Sequence, residues 1–237
     1  MPLIVPSGRT FEDGDLKLMK MLVEVGFIQW RDDPFRLKSG IESHVYVFGR
    51  NDLTENASVM YRVGKRIMQE LRFANRQGYD NSNFCLIGIP TAGTALAVAA
   101  SQSDVIGQWS DSPAGSRLMR EVKKTYGAHN TWVGGEPMHE KHRYALIDNV
   151  ATDGKSKREA AIKLVEDGYE ISEVDCLILV DRQQGALKNI ESIGFRRVVV
   201  VYNLLDMTFA FRHLKLWPSE AVEKVEQEIA AHQQTFV

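Results

Sequence analysis

The chain has 237 residues, 44% of them hydrophobic and 25% charged, with a net charge of −2. That composition suits one well-cored globular domain and excludes a disordered or fibrous chain. It also excludes a strongly basic nucleic-acid-binding surface. No apolar run approaches the ~20 residues that span a bilayer, so neither nucleic acid nor membrane is expected as a partner.

The opening MPLIVPSGRTFEDGD lacks a charged segment followed by an apolar core, and no secretory leader is expected. A helix is predicted over Asp15–Phe27, with Leu16, Met19, Leu22, Val23 and Val25 at helical spacing. Phe35–Gly40 and His44–Phe48 read as a hairpin or a pair of short strands. Ala57–Phe73 reads as a second amphipathic helix, with Met60, Val63, Ile67, Met68 and Leu71 on one face. Beyond residue 83 the pattern changes. Phe84–Ile87, Tyr144–Ile147, Cys176–Val180 and Val198–Val201 are short apolar runs, the signature of strands buried on both faces. Helix-like segments lie between most of them, at Thr94–Ser101, Ser156–Asp167 and Ala186–Ile193. The alternation predicts an α/β fold with a central, mostly parallel sheet flanked by helices. Ser110–Glu140 lacks periodicity and is expected to be a long mobile loop, a type usually tied to function. A polar helix, Ser219–His232, ends the chain. Cys85 and Cys176 fall inside apolar runs and read as buried, reduced thiols, which suits a cytoplasmic protein.

Ligands of open α/β sheets bind at the carboxyl ends of the strands, so the loops there carry the chemistry. Gly88–Thr94 follows the first core strand. Its glycines, proline and threonines permit a tight turn with exposed N–H groups, although alone it reads first as an ordinary strand-to-helix turn. Arg143–Ser156, RYALIDNVATDGKS, is the most telling stretch. An apolar run ends on Asp148, a polar loop runs from Asn149 to Gly154, and a helix starts near Lys155. A loop entering a helix N-terminus holds phosphate with backbone N–H groups and the helix dipole. Two phosphate readings compete. Gly154-Lys155-Ser156 matches the end of a P-loop, and Cys176–Val180 followed by Asp181 resembles the strand and acid that hold magnesium, but Asn149 stands where the first glycine belongs. In the other reading the loop binds phosphoribosyl diphosphate (PRPP), with Asp148 on the ribose hydroxyls and the Thr152-Asp153-Gly154 turn on the 5′-phosphate. Arg182, at another strand end, suits a bidentate pair with a carboxylate, or is a surface arginine at a turn. Arg120–Gly127 is a basic stretch in the long loop, either a charged lid or a solvated face.

Taken in order, these segments resemble the orotate phosphoribosyltransferases, from about Leu16 to Met207. Leu37-Lys38-Ser39-Gly40 with Ser43 and Tyr46 resembles the family's N-terminal base-recognition segment. Gly88–Gly93 resembles its diphosphate loop, Arg120–Gly127 its mobile catalytic loop and Tyr144–Ser156 its PRPP motif. Asp181–Gly185 with Asn189 resembles its D-R-x-x-G segment. The resemblance implies a type I phosphoribosyltransferase fold over residues 1–237. About 1–56 would form an N-terminal hood, 57–207 the core and 208–237 a C-terminal helix. It implies transfer of phosphoribosyl from PRPP to orotate, giving orotidine 5′-monophosphate and diphosphate, with Mg²⁺ as cofactor, carried by PRPP near Asp148. Arg120, Lys124 and Asp148 would be catalytic. Asp148, Asn149, Ala151, Thr152, Asp153, Gly154, Lys155 and Ser156 would bind PRPP together with Thr91, Ala92 and Gly93. Lys38, Thr152 and Arg182 would bind orotate. A homodimer is implied, with the mobile loop shared across subunits.

Four positions depart from the family pattern. Asn149 replaces the second of two adjacent acids, Glu121 a lysine, Thr125 an aspartate, and Ala92 a lysine found in some members. Each lost charge contact is worth on the order of 2–4 kcal/mol of transition-state stabilisation. They leave open an alternative, a non-catalytic or altered-specificity paralogue that binds PRPP or a nucleotide.

Overall fold

The computed structural model describes residues 2–37, 40, 42–47, 52–73, 80–122, 132–133 and 136–233. Two short strands open the chain, β1 (Leu3–Ile4) and β2 (Thr10–Phe11), paired antiparallel. Helix α1 (Asp13–Glu24) follows and buries Leu18, Met19 and Leu22. It ends three residues earlier than the periodicity predicts. Gly26 takes a positive φ of 71°, its N–H donates to the Val23 carbonyl, and the Phe27 N–H donates to the Leu22 carbonyl. That paired closure is the Schellman motif, in which a left-handed glycine stops a helix. Phe27 and Ile28 are thereby delivered, fully buried, to the next strand.

Strands β3 (Ile28–Arg36) and β4 (Glu42–Val47) form an antiparallel pair. The register shifts between Trp30 and Phe35, where Asp32-Asp33-Pro34 interrupts the pattern, because proline cannot donate to a ladder. Much of β3 thus lies ahead of Phe35, where the sequence predicts its start. A short helix, α2 (Asp52–Glu55), leads into α3 (Ala57–Phe73), whose buried stripe keeps Val63, Ile67, Met68 and Leu71 of the predicted face, while Val59 is buried and the predicted Met60 is half-buried.

The central sheet is built from β5 (Phe84–Gly88), β6 (Gly115–Met119), β7 (Trp132–Val133), β8 (Arg143–Ala151), β9 (Asp175–Asp181) and β10 (Arg197–Asn203). Among the described residues its order is β10-β9-β8-β5-β6-β7, with five strands parallel and β7 antiparallel to β6. Helix α4 (Ala92–Gly107) follows β5, α5 (Lys155–Glu166) follows β8, and α6 (Ala186–Glu191) follows β9. Helices α7 (Leu204–His213) and α8 (Ala221–Gln233) close the fold. One core cluster joins α1, α3, α4, α7 and α8 to one face of the sheet, and a second fills the other face beneath α5 and α6. Both cysteines are buried and free.

Two elements differ from expectation. The predicted loop Ser110–Glu140 contains β6, parallel to β5, and β7. In β6 the inward positions are Arg117 and Met119. Arg117 donates to the Tyr169 hydroxyl at 2.6 Å and to the Glu136 carbonyl, so a charged residue occupies a core-facing site and hides the alternation. Helix α7 is not predicted at all. Leu204, Asp206, Met207, Thr208, Ala210 and Phe211 are buried while the outer face begins with the apolar Leu205 and Phe209, so polar residues inside and apolar ones outside blur the helical period.

Candidate active site

In a parallel sheet every strand presents its carboxyl end to the same edge. The loops after β6, β5, β8 and β9, four adjacent strands, therefore lie side by side. These are the loops that the sequence singles out.

At the end of β5 the chain turns at once into α4. The Ile89 N–H donates to the Ile147 carbonyl of β8 at 2.9 Å, and the Pro90–Thr91 peptide is cis. Gly88 and Gly93 are buried where the backbones cross. A Cβ on Gly93 would lie 2.3 Å from the Ile147 oxygen, and one on Gly88 2.1 Å from the Gly93 oxygen. Only glycines allow α4 to start this close to the sheet, with Thr91 exposed at its amino end. The free N–H groups and positive dipole of that first turn suit an anion.

Strand β8 runs further than expected. Asp148, Val150 and Ala151 pair with Ile178, Val180 and Asp181 of β9, so the loop begins at Thr152 rather than Asn149. Asp148 sits inside the ladder and is nearly buried. Its Oδ1 accepts the Asn149 N–H at 2.9 Å, and its Oδ2 accepts the Ser156 hydroxyl at 3.2 Å. Asp148 Oδ2 also pairs at 2.6 Å with the ammonium of Lys157. Ala151 is fully buried in the second core cluster, so any ligand contact by this residue is through its backbone. Gly154 caps α5 with φ 83°, and the Lys155 N–H is held by Asp153 Oδ1 at 3.0 Å. The Asn189 amide of α6 donates to the Asp153 carbonyl at 3.0 Å and braces the turn. Lys155 is exposed and points no charge into the protein.

At the end of β9, burial raises the Asp181 carboxyl above its usual range, against the Gln183 N–H and the Lys157 charge, which both lower it. Arg182, expected at the orotate carboxylate, is only 2% exposed. Its Nη2 donates to the Ser43 hydroxyl at 2.7 Å, its Nη1 to the Val45 carbonyl at 3.0 Å and its Nε to Gln184 at 3.2 Å. Burial lowers its pKa to about 10, opposed by the nearby Glu228 charge. The structure therefore places Arg182 among protein acceptors rather than at an open cleft. It ties the sheet to β4. Glu228 of α8 completes that joint, accepting the Ser43 hydroxyl at 2.6 Å and the His44 N–H at 2.8 Å. Nothing in the sequence signals Glu228, a glutamate on a polar helix.

Arg120 leaves β6 on the same edge. With Pro90, Thr91, Thr94 and Val122 it lines a cavity of about 990 Å³, and its buried Nε has no hydrogen-bond partner among the described residues. Lys38 and Lys124, and the altered loop position Thr125, lie outside the described residues. Asp148, Asn149, Thr152–Ser156 and Thr91–Gly93 are thus brought onto neighbouring strand ends, with Arg120 one strand further out. Lys157 is the site residue that sequence alone misses.

A parallel sheet with an acid on the strand preceding a glycine-capped helix, beside a glycine-crossed anion turn, defines the type I phosphoribosyltransferase fold. No family model matches the chain. It is similar to UMP synthase of Leishmania donovani, with a TM-score of 0.72, 23% identity and coverage of 91% of this chain; it spans 42% of that longer chain. It is 24% identical to orotate phosphoribosyltransferase of Nostoc over 198 residues, 84% of this chain and 87% of that one. It is 30% identical to orotate phosphoribosyltransferase of Pyrococcus abyssi over 192 residues, 80% of this chain and 94% of that one. The chain belongs to the orotate phosphoribosyltransferase family.

Proposed function

We propose that the chain transfers the phosphoribosyl group of PRPP to orotate, giving orotidine 5′-monophosphate and diphosphate in pyrimidine nucleotide synthesis. The observation that carries this reading is the pairing on one sheet edge of the Asp148 strand, the capped α5 turn and the glycine-crossed α4 turn, in a chain of this family. The α5 turn, with Ser156 in its first helical residues, takes the 5′-phosphate through backbone N–H groups and the Thr152 hydroxyl, while the Ser156 hydroxyl proton is held by Asp148. Asp148 and Asn149 accept hydrogen bonds from the ribose hydroxyls. The first turn of α4, at Thr91–Gly93, faces the diphosphate. Lys38 supplies the hood's charge for the orotate carboxylate, and Arg182 holds the hood strand to the sheet.

In the reaction the bond from ribose C1 to the diphosphate oxygen breaks, and diphosphate leaves with the electron pair. The ring nitrogen of orotate then bonds C1 through an oxocarbenium-like transition state, and its N–H proton is released to solvent. The protein's share is positioning and charge stabilisation of the leaving group, with Arg120 and Lys124 closing over it. No step uses a thiol: Cys85 and Cys176 are both buried, and burial pushes their thiols up, to about 11 and about 12. The family resemblance implies Mg²⁺. Among the described residues no group of three or more His, Cys, Asp or Glu could hold a metal, and Asp148 is already paired. Among the described residues the site thus offers Mg²⁺ no cluster of three such ligands. In this proposal Mg²⁺ arrives on the diphosphate of PRPP, and no step above runs through it.

The test is orotidine 5′-monophosphate formation from orotate and PRPP with Mg²⁺. Turnover is expected with orotate, and uracil, which lacks the carboxylate, should be slower by about 100-fold or more. PRPP binding by well-folded protein without turnover on orotate would overturn the reading.

A homodimer and a cytoplasmic location belong to the same proposal. Among the described residues no helix is long and apolar enough to cross a membrane. Along α4 and β6, Val98, Val105, Ile106, Leu118 and Val122 are exposed, Ile106 at 62%, and most of them line the Arg120 cavity. An apolar surface of this extent favours a second copy as its cover. Sedimentation equilibrium should show a dimer. Replacing Val98 and Ile106 together by glutamate should weaken it by at least about 100-fold, since two charges would be buried unpaired. A monomeric parent protein would remove this part of the proposal.

A further inference from the structure

Lys157 is the third residue of α5, in the run Lys155-Ser156-Lys157-Arg158. Its neighbours Lys155 and Arg158 are exposed, whereas Lys157 is 1% exposed. An ammonium has three N–H donors, and Lys157 has three acceptors for them. They are Asp148 Oδ2 at 2.6 Å, Ser156 Oγ at 3.3 Å and the Val150 carbonyl. Asp148 is matched in turn, with Oδ2 facing Lys157 and the Ser156 hydroxyl, and Oδ1 facing the Asn149 N–H. A lysine is almost never fully buried unless paired. Here the pair is the acid that the proposed function puts on the ribose.

We propose that Lys157 is a positioning residue that fixes the Asp148 carboxylate and supplies its counter-charge, so that this strand end offers the ribose hydroxyl acceptors without net charge and holds no divalent cation. The inference rests on the phosphoribosyl reading of the site. Its logic is local electrostatics. With Asn149 in place of a second acid, the strand end carries one negative charge, and Lys157 cancels it. A divalent cation seated on Asp148 would share the carboxylate with an ammonium, and two cations on one buried carboxylate repel strongly. A neutral hydroxyl suffers no such repulsion and still finds free lone pairs on Asp148 Oδ1 and Asn149 Oδ1. Lys157 also acts on the neighbouring strand end, where its charge opposes the burial of Asp181.

The test measures PRPP affinity by calorimetry with and without Mg²⁺, and Mn²⁺ alone by electron paramagnetic resonance, in the parent protein and in Lys157→Met. Methionine keeps the length of the side chain and removes its charge. The parent is expected to bind PRPP with nearly the same affinity in both conditions and to bind no Mn²⁺ alone. Lys157→Met should lose about tenfold in PRPP affinity without Mg²⁺, recover on its addition, and bind Mn²⁺ without ligand, as one uncompensated charge near the ligand dictates. A residue that only filled space would leave the Mg²⁺ dependence unchanged, and an unchanged dependence overturns the proposal. Mn²⁺ bound by the parent overturns it as well. Should Lys157→Met fail to fold, Lys157→Met with Asp148→Asn removes both charges together. That variant should then show the weak Mg²⁺ dependence of the parent and no Mn²⁺ binding, and a raised dependence overturns the proposal. Absence of PRPP binding in the parent defeats the phosphoribosyl reading instead, and the Mn²⁺ measurement still decides the role of Lys157.

Discussion

Arg72→Met is expected to destabilise the protein by about 3–5 kcal/mol, the usual cost of leaving one partner of a buried ion pair uncompensated. Arg72 and Asp104 are both fully buried. The guanidinium meets the carboxylate through two nitrogens, Nε at 2.8 Å and Nη2 at 2.5 Å, a fork geometry that lysine could not reproduce. Arg72 Nη1 donates to the carbonyl of Asp80 at 2.8 Å, and Asp104 Oδ2 also accepts the Ala114 N–H at 2.7 Å. One pair thus joins the end of α3, the approach to β5, the last turn of α4 and the approach to β6. Against a total stability of about 5–15 kcal/mol the loss is large, and the thermal midpoint should fall by roughly 10 °C. Urea titration followed by circular dichroism measures it. Arg72→Met with Asp104→Asn keeps an acceptor for the Ala114 N–H and removes the stranded charge, so it should recover more than half of the loss. The pair sits towards the amino ends of β5 and β6, away from the site edge. The PRPP KM of Arg72→Met at low temperature should therefore match the parent, and a shift below about 1 kcal/mol would mean that the pair contributes no more than an exposed one.

What sequence alone reveals follows from burial. The four runs read as core strands become β5, β8, β9 and β10, because strands covered on both faces must be apolar throughout. Helix α3 is legible in its bounds and in Val63, Ile67, Met68 and Leu71 because one face is buried and the other wet. The site loops are legible because a parallel sheet puts all of its strand-end turns on one edge. What stays hidden is polar chemistry turned inward. Arg117 masks β6, and in α7 the buried Asp206 and Thr208 and the apolar outer Leu205 and Phe209 blur the period. Asp148 and Asn149 resemble a loop start, yet ladder pairing to β9 carries the strand past them. Lys157 looks like one more surface cation at a helix start, and only its three acceptors show otherwise. Arg182 is placed correctly at a strand end, but chain periodicity does not reveal that Ser43 and Val45 come to meet it. In each case the decisive partner lies far away in sequence or is a backbone group.

Gly93→Ala should cost about 100-fold in kcat/KM for PRPP, the penalty expected when a catalytic element is misplaced by roughly 1 Å. Three backbones meet at this residue. Gly88 ends β5, Gly93 lies in the first turn of α4, and the Ile147 carbonyl belongs to β8 and accepts the Ile89 N–H. A methyl at position 93 would fall 2.3 Å from that carbonyl oxygen, well inside any allowed contact. Both neighbours are backbone inside a five-stranded parallel array, so neither can swing aside as a side chain would. Relief comes only by lifting the amino end of α4 off β8, and that end carries the N–H groups that face the diphosphate in the proposed reaction. The β3–β4 pair, which lies beside the base in the proposed function, is held by Arg182 and Glu228, which this movement does not touch. Steady-state kinetics should therefore show a rise in the KM for PRPP with the KM for orotate nearly unchanged. A parallel rise in both would mean that the substitution loosens the whole sheet edge. An unchanged kcat/KM would mean that the first turn of α4 does not touch PRPP.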